Sequence, residues 1–97
     1  MTTIVFDPDA KIEFLDSVLY YRNRSSSLGK EFRSEVSQGL LKITESPFQY
    51  RSFNPPFRRF LLDRFPYAII YSIEPDHIRI LAVAHTKREP GYWIDRA

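Results

Sequence analysis

The sequence predicts an α+β fold, a helical hairpin packed on a small and largely antiparallel sheet, in the order β-α-α-β-β-β. Three observations carry this reading. Two long stretches with apolar residues at helical spacing fill the first half of the chain. Three strand-like runs follow in the second half, rich in β-branched and aromatic residues. The runs are separated by Phe65-Pro66 and by Glu74-Pro75-Asp76, breaks short enough that each connection should be a hairpin, giving an antiparallel meander.

Each element has its own justification. Thr2 to Phe6 is a β-branched and aromatic run suited to an opening strand. Asp7-Pro8 reads as a helix start: Asp7 can cap exposed N–H groups, and Pro8 is tolerated at the first helical position because its missing N–H has no partner there. From Asp9 to about Arg22, Ile12, Leu15 and Leu19 recur at helical spacing, and Phe14, Val18 and Tyr21 broaden the stripe. The polar stretch Asn23 to Ser27 reads as the break. A second helix is expected over Leu28 to Glu45, with Leu28, Phe32, Val36, Leu40 and Ile43 along one face, ended by Ser46-Pro47 because proline disfavours helical geometry in the residue before it. So short a break makes the helices an antiparallel hairpin, and a lone hairpin cannot bury both stripes, so the sheet must cover them. The aromatic residues Phe14, Tyr21 and Phe32 are assigned to that core. Phe48 to Phe57 reads as a loop, with Pro55-Pro56 blocking regular structure. The meander strands are Arg58–Arg64, Tyr67–Ile73 and His77–His85, in a sheet with one face under the helices and the other partly open.

Composition narrows the function classes. A chain of 97 residues, 43% hydrophobic and 15% aromatic, is expected to form a single folded domain over residues 1–97 rather than a disordered segment. Its eight Phe and six Tyr bury large areas each, which helps a small domain offset chain entropy. Cysteine is absent, so neither disulfides nor thiolate zinc contribute, and a reducing compartment is compatible. MTTIVFDPDAK has no basic n-region and no long apolar run, so secretion and membrane insertion are not expected and the chain reads as cytoplasmic. Net charge is only +2, but residues 1–47 carry six basic and seven acidic residues, and residues 48–97 carry eight and five. The second half is thus modestly basic, suited to RNA, the ribosome, a DNA-bound enzyme or an acidic peptide.

Candidate chemistry concentrates at the strand ends. His85 is a general acid or base by type, or a strand-end cap through a hydrogen bond to a carbonyl. Arg88 offers a permanently charged fork for phosphate or developing negative charge, or pairs on the surface with Glu89 or Asp95. Arg58 and Arg59 open the meander and Arg64 closes its first strand; neighbouring strand residues point to opposite faces, so only one of Arg58 and Arg59 can share a given site. The alternative for these arginines is protection of a strand edge. Tyr92 is a proton donor or a stacking ring, and Trp93 is expected to pack the terminus onto the core. No Gly-rich phosphate loop, nucleophile elbow or metal-spaced cluster is present. His77 and His85 are expected on one strand face, eight residues apart and too distant for one metal, so neither metal nor cofactor is expected.

The order and spacing of several short marks resemble the RelE/ParE family of bacterial type II toxins over nearly the whole chain. These are Tyr20-Tyr21, Leu28-Gly29, Ser46-Pro47, Arg58-Arg59, Phe65-Pro66-Tyr67 leading into Ile70-Tyr71, and Ile80-Leu81-Ala82-Val83 leading to His85 and Lys87-Arg88. The resemblance implies a growth-inhibiting toxin, of the kind associated with plasmid stabilisation. Its partner would be a cognate antitoxin that wraps it and represses the shared operon, with operator DNA bound only through that antitoxin. RelE-like members cut messenger RNA in the ribosomal A site with several basic residues and often a C-terminal Tyr; ParE-like members poison DNA gyrase and lack that catalytic set. Arg59 and Arg88 fall at basic positions of the RelE-like site. Ala68, however, stands where that pattern places a strand arginine, Leu61 stands where it carries Lys, and Tyr92 has a different local context. The resemblance therefore leans to the ParE-like branch and inhibition of gyrase. The alternatives are a ribosome-dependent endoribonuclease, with Arg59, Arg64, His85, Arg88 and Tyr92 around the scissile phosphate, and an inactive binding member of the family.

Overall fold

The computed structural model describes residues 3–97, in the order β1 (Thr3–Phe6), α1 (Pro8–Arg24), α2 (Ser26–Glu45), β2 (Ser52–Asn54), β3 (Phe57–Leu61), β4 (Tyr67–Ile73) and β5 (His77–His85), closed by a 3₁₀ turn at Ile94–Arg96. The strands form one sheet in the order β1-β5-β4-β3-β2, antiparallel except for β1 against β5. The expected α+β architecture is therefore present. Strands β4 and β5 have the boundaries their sequence suggests, and Thr2 lies outside the described residues.

Asp7 caps α1 as its position before Pro8 implies, accepting from the Asp9 N–H at 2.9 Å. Its second oxygen accepts from Arg79 on β5 at 3.0 Å. Burial by itself would raise the Asp7 carboxyl, but the Arg79 hydrogen bond, the Asp9 N–H and the charges of Arg79 and Arg96 together hold it below the usual carboxylate range. One cap thereby fixes the start of the helix to the sheet.

The inter-helix break is tighter than the polar run Asn23 to Ser27 suggests. Both helices run on until Ser25 alone lies between them, with extended backbone (φ −165°, ψ 133°). Its N–H bonds the Tyr21 carbonyl at 3.0 Å and its carbonyl accepts from Gly29 at 3.2 Å, so one residue closes one helix and opens the next. Polar residues flanking Ser25 sit on the outside of the bend, where helix costs them nothing in burial. The tight crossing is possible because Gly29 has no Cβ: one placed there would lie 2.8 Å from the Arg22 Cβ and 3.0 Å from its Cα.

The core lies between the hairpin and one sheet face. Phe32, Val36 and Ile43 of α2 are fully buried there with Ile69, Tyr71, Ile78 and Ile80. Phe32 is the centre of a ring cluster, 5.2 Å from Tyr21 and from Phe65 and 4.8 Å from Tyr67. On α1, however, the core side is Ala10, Phe14, Val18 and Tyr21; Ile12, Leu15 and Leu19, expected in the stripe, are 56%, 45% and 49% exposed. The helix is apolar on two sides, and periodicity alone does not say which one the sheet takes. Tyr71 reaches across the core to donate to the Pro47 carbonyl at 2.6 Å, and burial pushes its hydroxyl up to about 12, with the nearby Arg58 charge opposing.

Two further differences concern the second half. The expected loop from Phe48 to Phe57 contains β2, a three-residue edge strand paired to β3 through a register irregularity. The first meander strand stops at Leu61 rather than Arg64, because Leu62 and Phe65 turn into the core and Glu35 accepts from the Arg64 N–H at 2.8 Å. Strand β5 carries a bulge: partners advance from Ile70↔Ala82 to Tyr71↔Ile80, leaving Leu81 as the extra residue. As a result Leu81 and Ala82 both face away from the helices.

The contact at Gly29 yields a test. An unhindered helical Gly→Ala change stabilises by up to about 1 kcal/mol. Gly29→Ala should instead destabilise by about 1–2 kcal/mol, because the neighbouring Arg22 backbone cannot yield. Urea unfolding followed by far-UV circular dichroism measures the sign directly.

Candidate functional site

The sheet face away from the helices is where the strand-end residues gather. Cross-strand rows Leu61-Ala68-Ala84 and Arg59-Ile70-Ala82 floor it. The C-terminal segment then folds over it. Trp93, only 3% exposed, packs edge-on to Phe57 at 4.8 Å and to Phe53 at 5.8 Å. The predicted packing role for Trp93 therefore holds, and the open face is smaller than expected. What remains is a cleft of about 190 Å³ lined by residues that include Phe53, Arg59, Leu61, Ala68, Tyr92 and Trp93.

The C-terminal segment is fastened by a single carboxylate. Glu13, on α1, accepts from Arg96 at 3.0 and 2.9 Å, from the Tyr92 hydroxyl at 2.6 Å, from Arg88 at 3.3 Å, and from the Val83 backbone N–H at 3.2 Å. Arg96 also donates to the Leu81 carbonyl at 2.9 Å, and the Arg96 carbonyl accepts from Arg79, which already holds Asp7. Two guanidinium groups lie over the Tyr92 ring, Arg88 at 3.7 Å and Arg96 at 5.1 Å from its centroid. Burial, then the hydrogen bond and charge of Glu13, push the Tyr92 hydroxyl well above its ordinary value. Nothing in the linear sequence marks Glu13; its role depends on a contact between residues 83 apart for Arg96.

Of the five candidate residues, the structure brings Arg59, Arg88 and Tyr92 around the cleft. Arg88 does not pair with Glu89 or Asp95 as the surface alternative suggests, but with Glu13. Tyr92 spends its proton on Glu13. Arg59 faces the cleft over the Phe53 ring at 5.4 Å, and its guanidinium has no hydrogen-bond or ion-pair partner among the described residues. Arg58 points the other way and clamps the loop by donating to the Phe48 and Tyr50 carbonyls at 3.1 and 2.8 Å, in keeping with strand alternation.

Of the remaining two candidates, Arg64 lies elsewhere, and His85 borders the cleft while its ring packs on Tyr67. Arg64 sits beside α2, 3.3 Å from Glu31. The His85 ring turns to the helix side, edge-on to Tyr67 at 5.2 Å, beside Tyr20, Tyr21 and Arg24. Its Nδ1 accepts from the Lys87 N–H at 3.1 Å, which leaves the proton of the neutral ring on Nε2. The bulge at Leu81 also overturns the expectation that His77 and His85 share a face: alternation restarts after the extra residue, placing His77 on the open side. Among the described residues, no three His, Asp or Glu side chains converge as a metal site would need.

Comparison with known proteins agrees with this architecture. Residues 4–90 match the family described as ParE toxin of type II toxin-antitoxin system, parDE. No curated protein matches the chain. A solved structure, the chromosomal ParDE TA system from P. aeruginosa, is similar in fold, with a TM-score of 0.62 at 18% identity over 90% of this chain and 98% of that one. The chain belongs to the ParE toxin family.

The Glu13 cluster predicts unequal effects for its members. Glu13→Ala leaves Arg96, 15% exposed, with only the longer and more exposed ion pair to Asp9 at 3.8 Å, and should cost about 3 kcal/mol. Arg88 is 52% exposed, so Arg88→Ala should cost less than about 1 kcal/mol. Urea unfolding read by Trp93 fluorescence separates the two.

Proposed function

We propose that this member of the ParE toxin family arrests growth in the cytoplasm by binding DNA gyrase, with no hydrolytic chemistry of its own. The observation that carries the reading is the disposition of the candidate catalytic groups. Ribonuclease chemistry needs a base, an acid and charge stabilisation converging on one phosphate. Here the Tyr92 proton is held by Glu13, the His85 ring lies on the opposite sheet face, and Ala68 and Leu61 line the cleft with apolar surface. Among the described residues, Arg59 alone keeps a guanidinium there without a hydrogen-bond or ion-pair partner. A shallow, largely apolar cleft with an unpaired guanidinium at its rim favours a protein partner. The ribosome-dependent endoribonuclease alternative draws correspondingly little support. In a supercoiling assay with purified gyrase, the chain in molar excess is expected to block supercoiling; normal supercoiling would rule out this target. Primer extension on transcripts from induced cells should then show no codon-phased cuts.

The antitoxin partner that the family implies is assigned to the helical hairpin and the adjoining sheet. Ile12, Leu15 and Leu19 form an exposed apolar row at i, i+3 and i+7, which suits the apolar face of a partner segment. The row leads to Arg22 and Arg24 in the last turn of α1, suited to acidic residues on the same segment. Operator DNA is reached only through that antitoxin. Leu15→Glu should leave folding intact, because the side chain is already exposed, yet weaken co-purification with the antitoxin at least about tenfold. Undiminished recovery of the complex would move the antitoxin off this helix.

A further inference from the structure

From the size and lining of the cleft we infer that it is an anchor pocket for one aromatic side chain of a protein partner, flanked on that partner by a carboxylate. The inference rests on the binding reading above and names what the partner must present. Volume decides the class of group. A cleft of about 190 Å³ exceeds only slightly the roughly 150 Å³ cavity that admits a benzene ring, and lies below the roughly 300 Å³ at which pockets for drug-sized ligands begin. One ring fills that space, whereas the ribose and phosphate of a nucleotide would project beyond it into solvent.

The lining agrees with a ring. The floor is Leu61, Ala68, Ile70 and Ala84, where the two alanines on adjacent strands create the depression. Leu61 is half-exposed, an apolar side chain left beside a hollow. Phe53 and Trp93 supply walls whose edges and faces suit a further aromatic in edge-to-face contact. An aromatic side chain seated in a preformed pocket is the usual form of an interface hot spot. These walls do not need the partner to stay in place, since Trp93 is already pinned by Phe57 and the Glu13 cluster fastens the rest of the segment.

The rim supplies the charge preference. Arg88 is neutralised by Glu13, so the cation left to a ligand is Arg59, poised over Phe53. Glu89 also borders the cleft, is exposed, and makes no ion pair with Arg59 among the described residues. A carboxylate next to the inserted ring therefore meets Arg59 directly.

Trp93, the chain's single tryptophan, is a built-in reporter. Titrating the intact chain with N-acetyl-phenylalanine should change Trp93 fluorescence saturably in the millimolar range. N-acetyl-phenylalanine amide, which keeps the ring and lacks the charge, should bind about threefold more weakly, and N-acetyl-aspartate should give no saturable response. Ala68→Leu should abolish the response, and Arg59→Gln, a rim change that leaves the core alone, should erase the difference between acid and amide. Absence of saturation with the native chain, or an unchanged response in a folded Ala68→Leu variant, would overturn the pocket. Equal binding of acid and amide to the native chain would overturn the carboxylate. The supercoiling assay keeps the two readings apart. A native chain that binds the ring but leaves gyrase untouched retains the pocket and loses the target. A folded Ala68→Leu variant that still inhibits gyrase fully retains the target and overturns the pocket as its anchor.

Discussion

The Glu13–Arg96 pair at the upper half of β5 is the contact on which the rest of the site depends. Among the described residues β1 pairs with β5 from His77 to Ile80, and beyond that point no strand flanks β5 on its outer side. The Leu81 carbonyl and the Val83 N–H would be left at a covered edge, and an unmade backbone hydrogen bond costs on the order of 1–3 kcal/mol. Arg96 supplies the donor and Glu13 the acceptor, each neutralising the other. Two side chains thus do the work of the missing strand. Because Glu13 belongs to α1 and Arg96 to the last turn, the same pair joins the first helix, the sheet and the terminus. Trp93 is carried onto the sheet face by this attachment, and without it the cleft has no far wall.

The bulge at Leu81 has a second consequence, for chemistry rather than stability. Without the extra residue, His85 would alternate onto the same face as His77, beside Arg59 and Tyr92. With it, Val83 and His85 return to the helix side while Ala84 stays on the cleft floor. A single residue of register therefore turns the ring of His85, at the cleft's border, towards Tyr67 and away from the cleft floor. Adding Ala68 and Leu61, the face has the charge and polarity of a contact surface.

These two features also mark where sequence reading stops. Strands β4 and β5, the Asp7-Pro8 helix start and the Phe32, Val36 and Ile43 stripe were legible because each rests on local chemistry: alternation, capping and periodicity. On α1 only part of the stripe was: Phe14, Val18 and Tyr21 pack as expected, but Ile12, Leu15 and Leu19, also at helical spacing, face outwards. Ser25 as the entire break was hidden because its polar neighbours are equally content in helix, and the decisive contact is Gly29 against Arg22. β2 is three residues long and forms by pairing with β3. At the site, Arg59 and Arg88 could be picked out as basic strand-end residues, and Ala68 and Leu61 as apolar residues on the strands that floor the cleft. Glu13 could not, because an acidic residue on an amphipathic helix looks like solvated surface until the terminus is folded back on it.

The balance of charge around the cleft follows from the same carboxylate. Arg88, Tyr92 and Arg96 all converge on Glu13, whose single negative charge and two oxygens are fully used. A phenol in that position is a poor general acid: its proton is already donated, and burial beside a carboxylate disfavours the phenolate it would leave behind. Arg88 is similarly committed, by ion pair and by the Tyr92 ring beneath it. Freeing Tyr92 for catalysis would leave Glu13 and Arg96 without one of their hydrogen-bonded neighbours and loosen the segment that carries Trp93, whereas half-exposed Arg88 is held more weakly. Arg59, on β3 and outside this network, is the exception, and its charge is what the cleft has to offer a partner.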